Sequence, residues 1–278
     1  MRWKQFFTLT DSMDAPQAKS FLEENEEGSY TLLDVRQPHE YEEARIPGAR
    51  LIPLPQLSDR LGEIDRDKPL LVYCAVGGRS RVAAQLLSGQ GFSKVLNLKG
   101  GIKSWQGEKA AGPPEHGMSL ITGKESPQEM IVLAFGMEEG LGSFYRAMAQ
   151  SAANTDVARL FQELSKIEQR HKERLFGLYL EMEDSAVSRD EFDKHILPGV
   201  MEGGMTTEEF MALHGSFLET VPGTLELAMI LETQALDLYM RFAQKSEDAA
   251  VRKVLHSIFD EEKAHLKSLG KLLEGVPK

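Results

Sequence analysis

Cys74 is the only cysteine in the 278 residues, so all thiol chemistry rests on it and no disulfide closes within one chain. It opens the run Cys74-Ala75-Val76-Gly77-Gly78-Arg79-Ser80, between an apolar stretch over 69–73 and a helical pattern over 79–90. Gly77 and Gly78 let the backbone curl so that successive N–H groups point inward and form an anion-binding nest. The N-terminus of the following helix and the Arg79 side chain add positive potential, which favours thiolate over thiol. A persulfide formed on Cys74 is stabilised by the same donors. The plain alternative is a buried structural cysteine, a role that a strand end before a Gly-Gly-Arg turn suits poorly.

A second constellation is distributed rather than local. Glu168 and His171 stand three apart, as do Glu262 and His265; residues i and i+3 of a helix share a face. Displaced by 94 residues, the chain repeats itself without a gap: Ala134 falls on Ala228, Glu138 on Glu232, Tyr145 on Tyr239, Val157 on Val251, Glu168 on Glu262 and His171 on His265. Each half therefore reads Glu, Tyr two turns on, then Glu-x-x-His. Most helical glutamates face water, and one Glu-x-x-His arises by chance, but two copies at matched spacing point to a shared purpose. If the faces meet, four carboxylates and two imidazoles converge, and their burial is prohibitive unless two divalent cations neutralise them. Mixed imidazole and carboxylate ligands suit iron or manganese.

The elements that must hold these residues differ between the two parts. In the first part, strand patterns over 30–35, 69–73 and 93–98 alternate with helical patterns over 15–24 and 79–90, which predicts a parallel α/β sheet. Gly112, Pro113, Pro114 and Gly117 then mark a linker over 109–125. Ser126, Pro127 and Glu129 form a helix start with a capping box. Long helices are expected over 127–151, 156–182, 224–245 and 247–274, giving an all-α four-helix bundle made of two hairpins. A looser stretch over 183–222 carries capping-box patterns at Ser188…Glu191 and Thr206…Glu209. His195 and His214 fall in it without partners at ligand spacing and read as surface residues. The expected domains are 1–108, the linker 109–125, and 126–278.

The first part resembles the rhodanese-like sulfurtransferase family. Besides the Cys74 loop, Asp34-Val35-Arg36 with Glu40-Tyr41, Ile46-Pro47-Gly48-Ala49 and Gly100-Gly101-Ile102…Trp105 match its motifs; Arg45 stands where the family usually has histidine. The resemblance implies Cys74 and Arg79 as catalytic, and Asp34, Arg36, Ala75, Val76, Gly77, Gly78 and Ser80 as substrate-binding or supporting residues. Related phosphatases of that fold have a loop one residue longer, so this loop favours sulfur over phosphate. The second part resembles the rubrerythrin-like branch of the ferritin-like di-iron carboxylate proteins, in which two helices each give a Glu and two each give Glu-x-x-His. That implies Glu138, Glu168, His171, Glu232, Glu262 and His265 as ligands of two iron ions, with manganese or zinc as alternatives. Tyr145 and Tyr239 are implied in a supporting place around them. The sequence departs from that branch in two ways: no four-cysteine rubredoxin-like part is present, and Ala235 stands where a further Glu ligand often lies. The resemblance also implies a homodimer.

Composition bounds the rest. The net charge is −11, and residues 109–278 carry 28 acidic against 18 basic residues, which disfavours nucleic acid as a partner. No run of 18 apolar residues offers a membrane span, and the N-terminus lacks a signal-peptide core; a cytoplasmic protein is expected. The combined expectation is a sulfurtransferase working through a Cys74 persulfide, fed by thiosulfate or a persulfide and discharging to an external thiol. Its coupled di-iron centre acts on peroxide, oxygen or sulfur species with an external electron donor. The competing expectation is a non-catalytic persulfide carrier or redox sensor whose bundle is a structural, metal-binding dimerisation unit.

Overall fold

The computed structural model describes residues 11–182, 188–196 and 220–275. The chain divides into two compact units, Met1–Pro114 and Glu115–Lys278.

The first unit is a five-stranded parallel sheet in the order β1-β5-β4-β2-β3. Its strands are β1 (Asp11–Met13), β2 (Thr31–Asp34), β3 (Arg50–Leu51), β4 (Leu70–Tyr73) and β5 (Val95–Leu98). Side chains alternate across a strand, and here both faces are apolar. Leu33, Leu70, Val72 and Cys74 enter one core with Ala83, Ala84 and Leu87. Leu32, Leu71, Tyr73 and Leu98 enter the other with Ala18 and Trp105. Burial on both faces is why these strands read as continuous apolar runs. Helices α1 (Ala15–Glu24) and α3 (Gly78–Gly89) cover the sheet where the sequence places them. The sequence pattern did not reveal β1 and β3, which are only three and two residues long, or the six-residue α2 (Pro38–Glu43).

The linker expected over 109–125 is shared between the units. Arg45 and Ala110 pair backbone to backbone at 2.7 and 2.9 Å, and the Arg45 guanidinium donates to the Gly112 carbonyl while lying over the Tyr41 ring. The arginine that replaces the usual histidine thus ties residues 110–112 to the first unit. Beyond Pro114, the carbonyls of His116 and Met118 accept from Arg241 and Lys245 of the second unit.

The second unit is helical: α4 (Pro127–Ser151), α5 (Thr155–Met182), α6 (Arg189–Asp193), α7 (Val221–Lys245) and α8 (Ala249–Glu274). Helix α4 packs on α5 and α7 on α8, and the ring is closed by α4 against α8 and α5 against α7. Ser126 caps α4 with Glu129 returning the bond, as its sequence dictates. Helix α7 starts earlier than expected because Thr220 caps it and Pro222 suits its first turn, and α8 starts later, at the Asp248 cap. Ser188 does cap the short α6, whose Phe192 is fully buried against Phe135, Phe176 and Tyr179. His195 is exposed. The Thr206…Glu209 pattern and His214 lie outside the described residues. No helix among the described residues is long and apolar enough to cross a membrane.

Candidate active-site loop and candidate metal centre

Cys74 directly follows β4, whose four residues are all buried, and is itself buried. The turn after β5 shapes the loop that follows. Ile102 and Lys103 donate their N–H groups to the carbonyls of Cys74 and Ala75 at 2.8 and 3.1 Å. A trans peptide points its C=O and N–H in opposite directions, so tying the Ala75 carbonyl outward turns the Val76 N–H inward. Gly101 must be glycine for this approach: at φ +60° a Cβ there sits 2.2 Å from the Cys74 carbonyl oxygen. Gly77, at φ +92°, makes the second bend, and its N–H donates to Cys74 Sγ at 3.1 Å.

The sulfur is therefore surrounded by fixed donors. Burial alone pushes the Cys74 thiol up, but the Ser80 hydroxyl and the N–H groups of Ser80, Val76 and Gly77 outweigh it and hold the thiol below its ordinary value. Gly78 opens α3, whose N-terminal dipole aims at the same place. Arg79 has a partner besides the sulfur. Its guanidinium is clasped by both oxygens of Glu40 on α2, each at 2.6 Å, and it reaches Cys74 only through space. That clasp holds Glu40 down to about 2. Asp34 and Arg36 form a second, buried ion pair at 2.6 Å, and Arg36 also donates to the Ala44 carbonyl. This pair braces the end of β2 against the end of α2, and no described contact joins it to the sulfur. Burial, with Asp34 beside it, keeps the Tyr73 phenol well above its ordinary value, and its oxygen accepts from the Ile46 N–H. Sequence motifs do not reveal Glu40's grip on Arg79 or the buried Asn97 behind Ser80, which lies 2.7 Å from the Ser80 hydroxyl.

In the bundle, the six repeat-related residues form two triads. Glu138 on α4 meets Glu168 and His171 on α5; Glu232 on α7 meets Glu262 and His265 on α8. His171 Nδ1 lies 3.3 Å from Glu138 and 3.1 Å from Glu168. His265 Nδ1 lies 3.7 Å from Glu232 and 3.5 Å from Glu262. The triads adjoin, because the two imidazoles stack at 3.9 Å between centroids and 8° between planes. All four carboxylates are at most 2% exposed. Burial pushes Glu232 up, but its contacts with Glu262 and the two imidazoles prevail and lower it; His265 is lowered by burial and raised, on balance, by the carboxylates around it.

This donor set fits two cations. Both oxygens of Glu168 are buried and accept no hydrogen bond, a costly arrangement for a carboxylate unless a cation completes it. Four carboxylates balance two divalent ions, and imidazole nitrogens suit first-row transition metals. Gly142 brings α4 close at this point, within 3.3 Å of the Glu168 Cβ by the position of an added Cβ. Tyr145 lies against Phe144 and Phe161, and Tyr239 beside Phe242, each fully buried. Ala235, in place of a further acid, is buried in the core. A feature without a counterpart in the repeat is Lys172, next to His171: it is buried and bonded to Glu139, which also pairs with Arg146. The second half has Leu266 and Thr233 at the matching positions.

Comparison with known proteins separates the two units in the same way. A rhodanese-like domain model matches residues 17–108, and a rubrerythrin model matches residues 129–273. An uncharacterized protein, YqhL, of Bacillus subtilis is 46% identical over 93 residues, which are 32% of this chain and 74% of that protein. A sulfurtransferase of Allochromatium vinosum is 36% identical over 90 residues, 32% of this chain and 77% of its own length. The thiosulfate sulfurtransferase GlpE of Pseudomonas syringae is 41% identical over 75 residues, 27% of this chain and 71% of its own.

Proposed function

The chain belongs to the rubrerythrin family through its helical bundle and carries a rhodanese-like domain ahead of it, and from this we propose a sulfurtransferase joined to a redox-active dimetal centre. The observation that carries the first half is the cradle of N–H groups and one hydroxyl around Cys74 Sγ. In the proposed cycle the Cys74 thiolate attacks the outer sulfur of thiosulfate. A bond forms from Sγ to that sulfur, the S–S bond of thiosulfate breaks, and sulfite leaves with the electron pair. An external thiolate or cyanide then takes the outer sulfur, and Cys74 returns as thiolate. A small-molecule or protein persulfide serves as donor by the same displacement. Loading extends the reactive atom by one S–S length, about 2 Å, from a sulfur that is itself buried. Asp34, Arg36 and Arg79 act in support, with the loop residues from Ala75 to Ser80 forming the cradle.

In the bundle, Glu138, Glu168 and His171 would hold one metal ion, and Glu232, Glu262 and His265 the other. Two bound iron ions supply paired one-electron changes, the chemistry needed to reduce peroxide, oxygen or a sulfur species. The protein's own part is to keep the four carboxylates dry and converging. With one cysteine in the chain, electrons come from an external donor. The test is double. Purified protein should contain two transition-metal ions per chain and catalyse transfer from thiosulfate to cyanide. Metal without transfer would leave the competing reading, a persulfide carrier or sensor on a structural bundle.

A further inference from the structure

Behind the cradle a chain of neutral hydrogen-bonding groups runs from Cys74 to the edge of the sheet. Ser80 Oγ lies 3.4 Å from Cys74 Sγ and 2.7 Å from Asn97 Oδ1, and Asn97 Nδ2 lies 3.3 Å from Ser12 Oγ. Ser80 and Asn97 are at most 1% exposed, whereas Ser12, on the edge strand β1, is exposed. Register fixes the alignment, since Asn97 pairs with Ser12 on one side and Val72 on the other. A polar amide in the middle of the apolar Val95–Leu98 strand is costly to bury unless its partners are satisfied.

Ser80 has one proton to give. Both Cys74 Sγ and Asn97 Oδ1 lie within its reach: when Asn97 Oδ1 takes that proton and Nδ2 donates to Ser12, the sulfur must supply a proton of its own, and that state suits a thiol. Turn the amide over and every bond reverses. Ser12 donates to Oδ1, Nδ2 donates to Ser80 Oγ, and the Ser80 proton goes to the sulfur. That orientation suits a thiolate or an anionic persulfide, and the aligned donors strengthen one another. The chain satisfies all its members in either state, and the amide plane distinguishes the two.

We propose that Asn97 is a positioning residue for Cys74, whose side-chain amide turns with the charge on sulfur and so decides whether Ser80 donates to it. The inference rests on Cys74 as the reactive sulfur, and it can be tested without sulfur transfer. The charged and titratable groups around the sulfur are the Arg79–Glu40 pair from α3 and α2, the Arg36–Asp34 pair at the end of β2, the buried Tyr73 of β4, and the exposed Lys103 on the turn after β5. β5 and β1 bring only the neutral Asn97 and Ser12 to this chain of bonds.

Because Cys74 is the sole cysteine, its thiolate can be followed by ultraviolet absorbance in the full chain, against Cys74→Ser as a blank. Asn97→Asp places an acceptor-only carboxylate behind Ser80 and captures its proton. The thiolate fraction below the midpoint should fall about tenfold, as expected for losing one hydrogen bond to a charged group. Ser80→Ala should produce a similar fall. In the Ser80→Ala background, Asn97→Asp should add less than about threefold, because its route to sulfur is gone. An equal shift with and without Ser80 would mean plain charge repulsion and overturn the proposal, as would no shift in Asn97→Asp. Should the buried aspartate prevent folding, the wild-type chain still decides. The Asn97 side-chain amide NMR signal should titrate with the Cys74 midpoint, and Ser80→Ala should uncouple it; a signal indifferent to that midpoint refutes the idea. Loss of sulfur transfer with these titrations intact would instead count against the proposed function alone.

Discussion

The Cys74 loop and the centre of the bundle both hold negative charge out of water, by opposite means. Around Cys74 the compensation is built from the chain itself: N–H groups of Val76, Gly77 and Ser80 and one hydroxyl, held by a backbone that glycines permit. In the bundle the chain supplies the charge and little that cancels it. Four carboxylates at most 2% exposed converge with two imidazoles, and Glu168 accepts no hydrogen bond at either oxygen. The first site is complete as an anion holder when folded. The second is complete only as a ligand set. Preorganised dipoles suit a single charge that comes and goes during transfer, whereas clustered carboxylates suit resident cations.

That contrast is broken most severely by Cys74→Ser. Transfer from thiosulfate to cyanide should fall by on the order of 10³-fold or more, as for loss of a nucleophile, while the metal content of the bundle stays unchanged. Elemental analysis beside the assay checks both halves; a loss of metal in this variant would mean that the two sites are not separately built.

Gly101→Ala attacks the same loop through its scaffold. A Cβ 2.2 Å from the Cys74 carbonyl forces the turn away, and alanine at φ +60° is strained besides. Overpacking of this kind costs about 1–3 kcal/mol, and a left-handed alanine roughly 1 more. Denaturant titration should show the loss in the first unit. The thiolate titration should move to higher pH as the Val76 N–H turns away.

Glu168→Gln sharpens the contrast by giving opposite signs in two conditions. Metal-free, the neutral side chain removes one of four converging buried carboxylates at the cost of its 3.1 Å contact with His171, so the bundle should gain, on balance, about 1 kcal/mol or more. With metal in hundredfold excess over its dissociation constant, the wild type gains about 2.7 kcal/mol by mass action, and the variant should lose much of that gain. Thermal melts with and without added ferrous or manganous ion read both. A variant less stable in both conditions would make Glu168 an ordinary structural residue.

How much of this was legible in the sequence follows the same division. A helix writes its register every few residues, so the start of α4 at Ser126-Pro127 and all six repeat-related positions could be read directly, and the structure brings those six together. The ends that moved did so for local reasons, the Thr220 and Asp248 caps. Strands β1 and β3 left no pattern because two or three residues are too few to alternate. Around Cys74 the loop was readable as a motif, but its partners were not. Arg79 reads as a cation for the sulfur, yet Glu40, 39 residues earlier, claims it; such a pairing exists only once α2 and α3 are packed. Asn97 gave one faint signal, an amide inside an apolar strand.

The Glu40–Arg79 clasp offers the smallest and most specific test. Glu40 is held at about 2, far below the ordinary carboxylate value of 4.5, first by its hydrogen bonds to Arg79. A carboxylate with a lowered folded pKa stabilises the fold above its unfolded pKa, and that contribution is lost as pH falls through the folded one. The first unit should therefore lose this contribution between about pH 4.5 and 2, and keep it at neutral pH. The Arg79 side chain is 36% exposed, so solvent screens the pair and its worth is at most about 1 kcal/mol. Glu40→Gln should be less stable than the wild type by that amount at pH 6, with the difference vanishing near pH 2 and shrinking in high salt. The same variant releases Arg79 toward the sulfur, so its thiolate titration should move to lower pH. If stability changes with pH as described but the thiolate does not move, Arg79 belongs to the scaffold of the loop, and the dipoles alone hold the charge on Cys74.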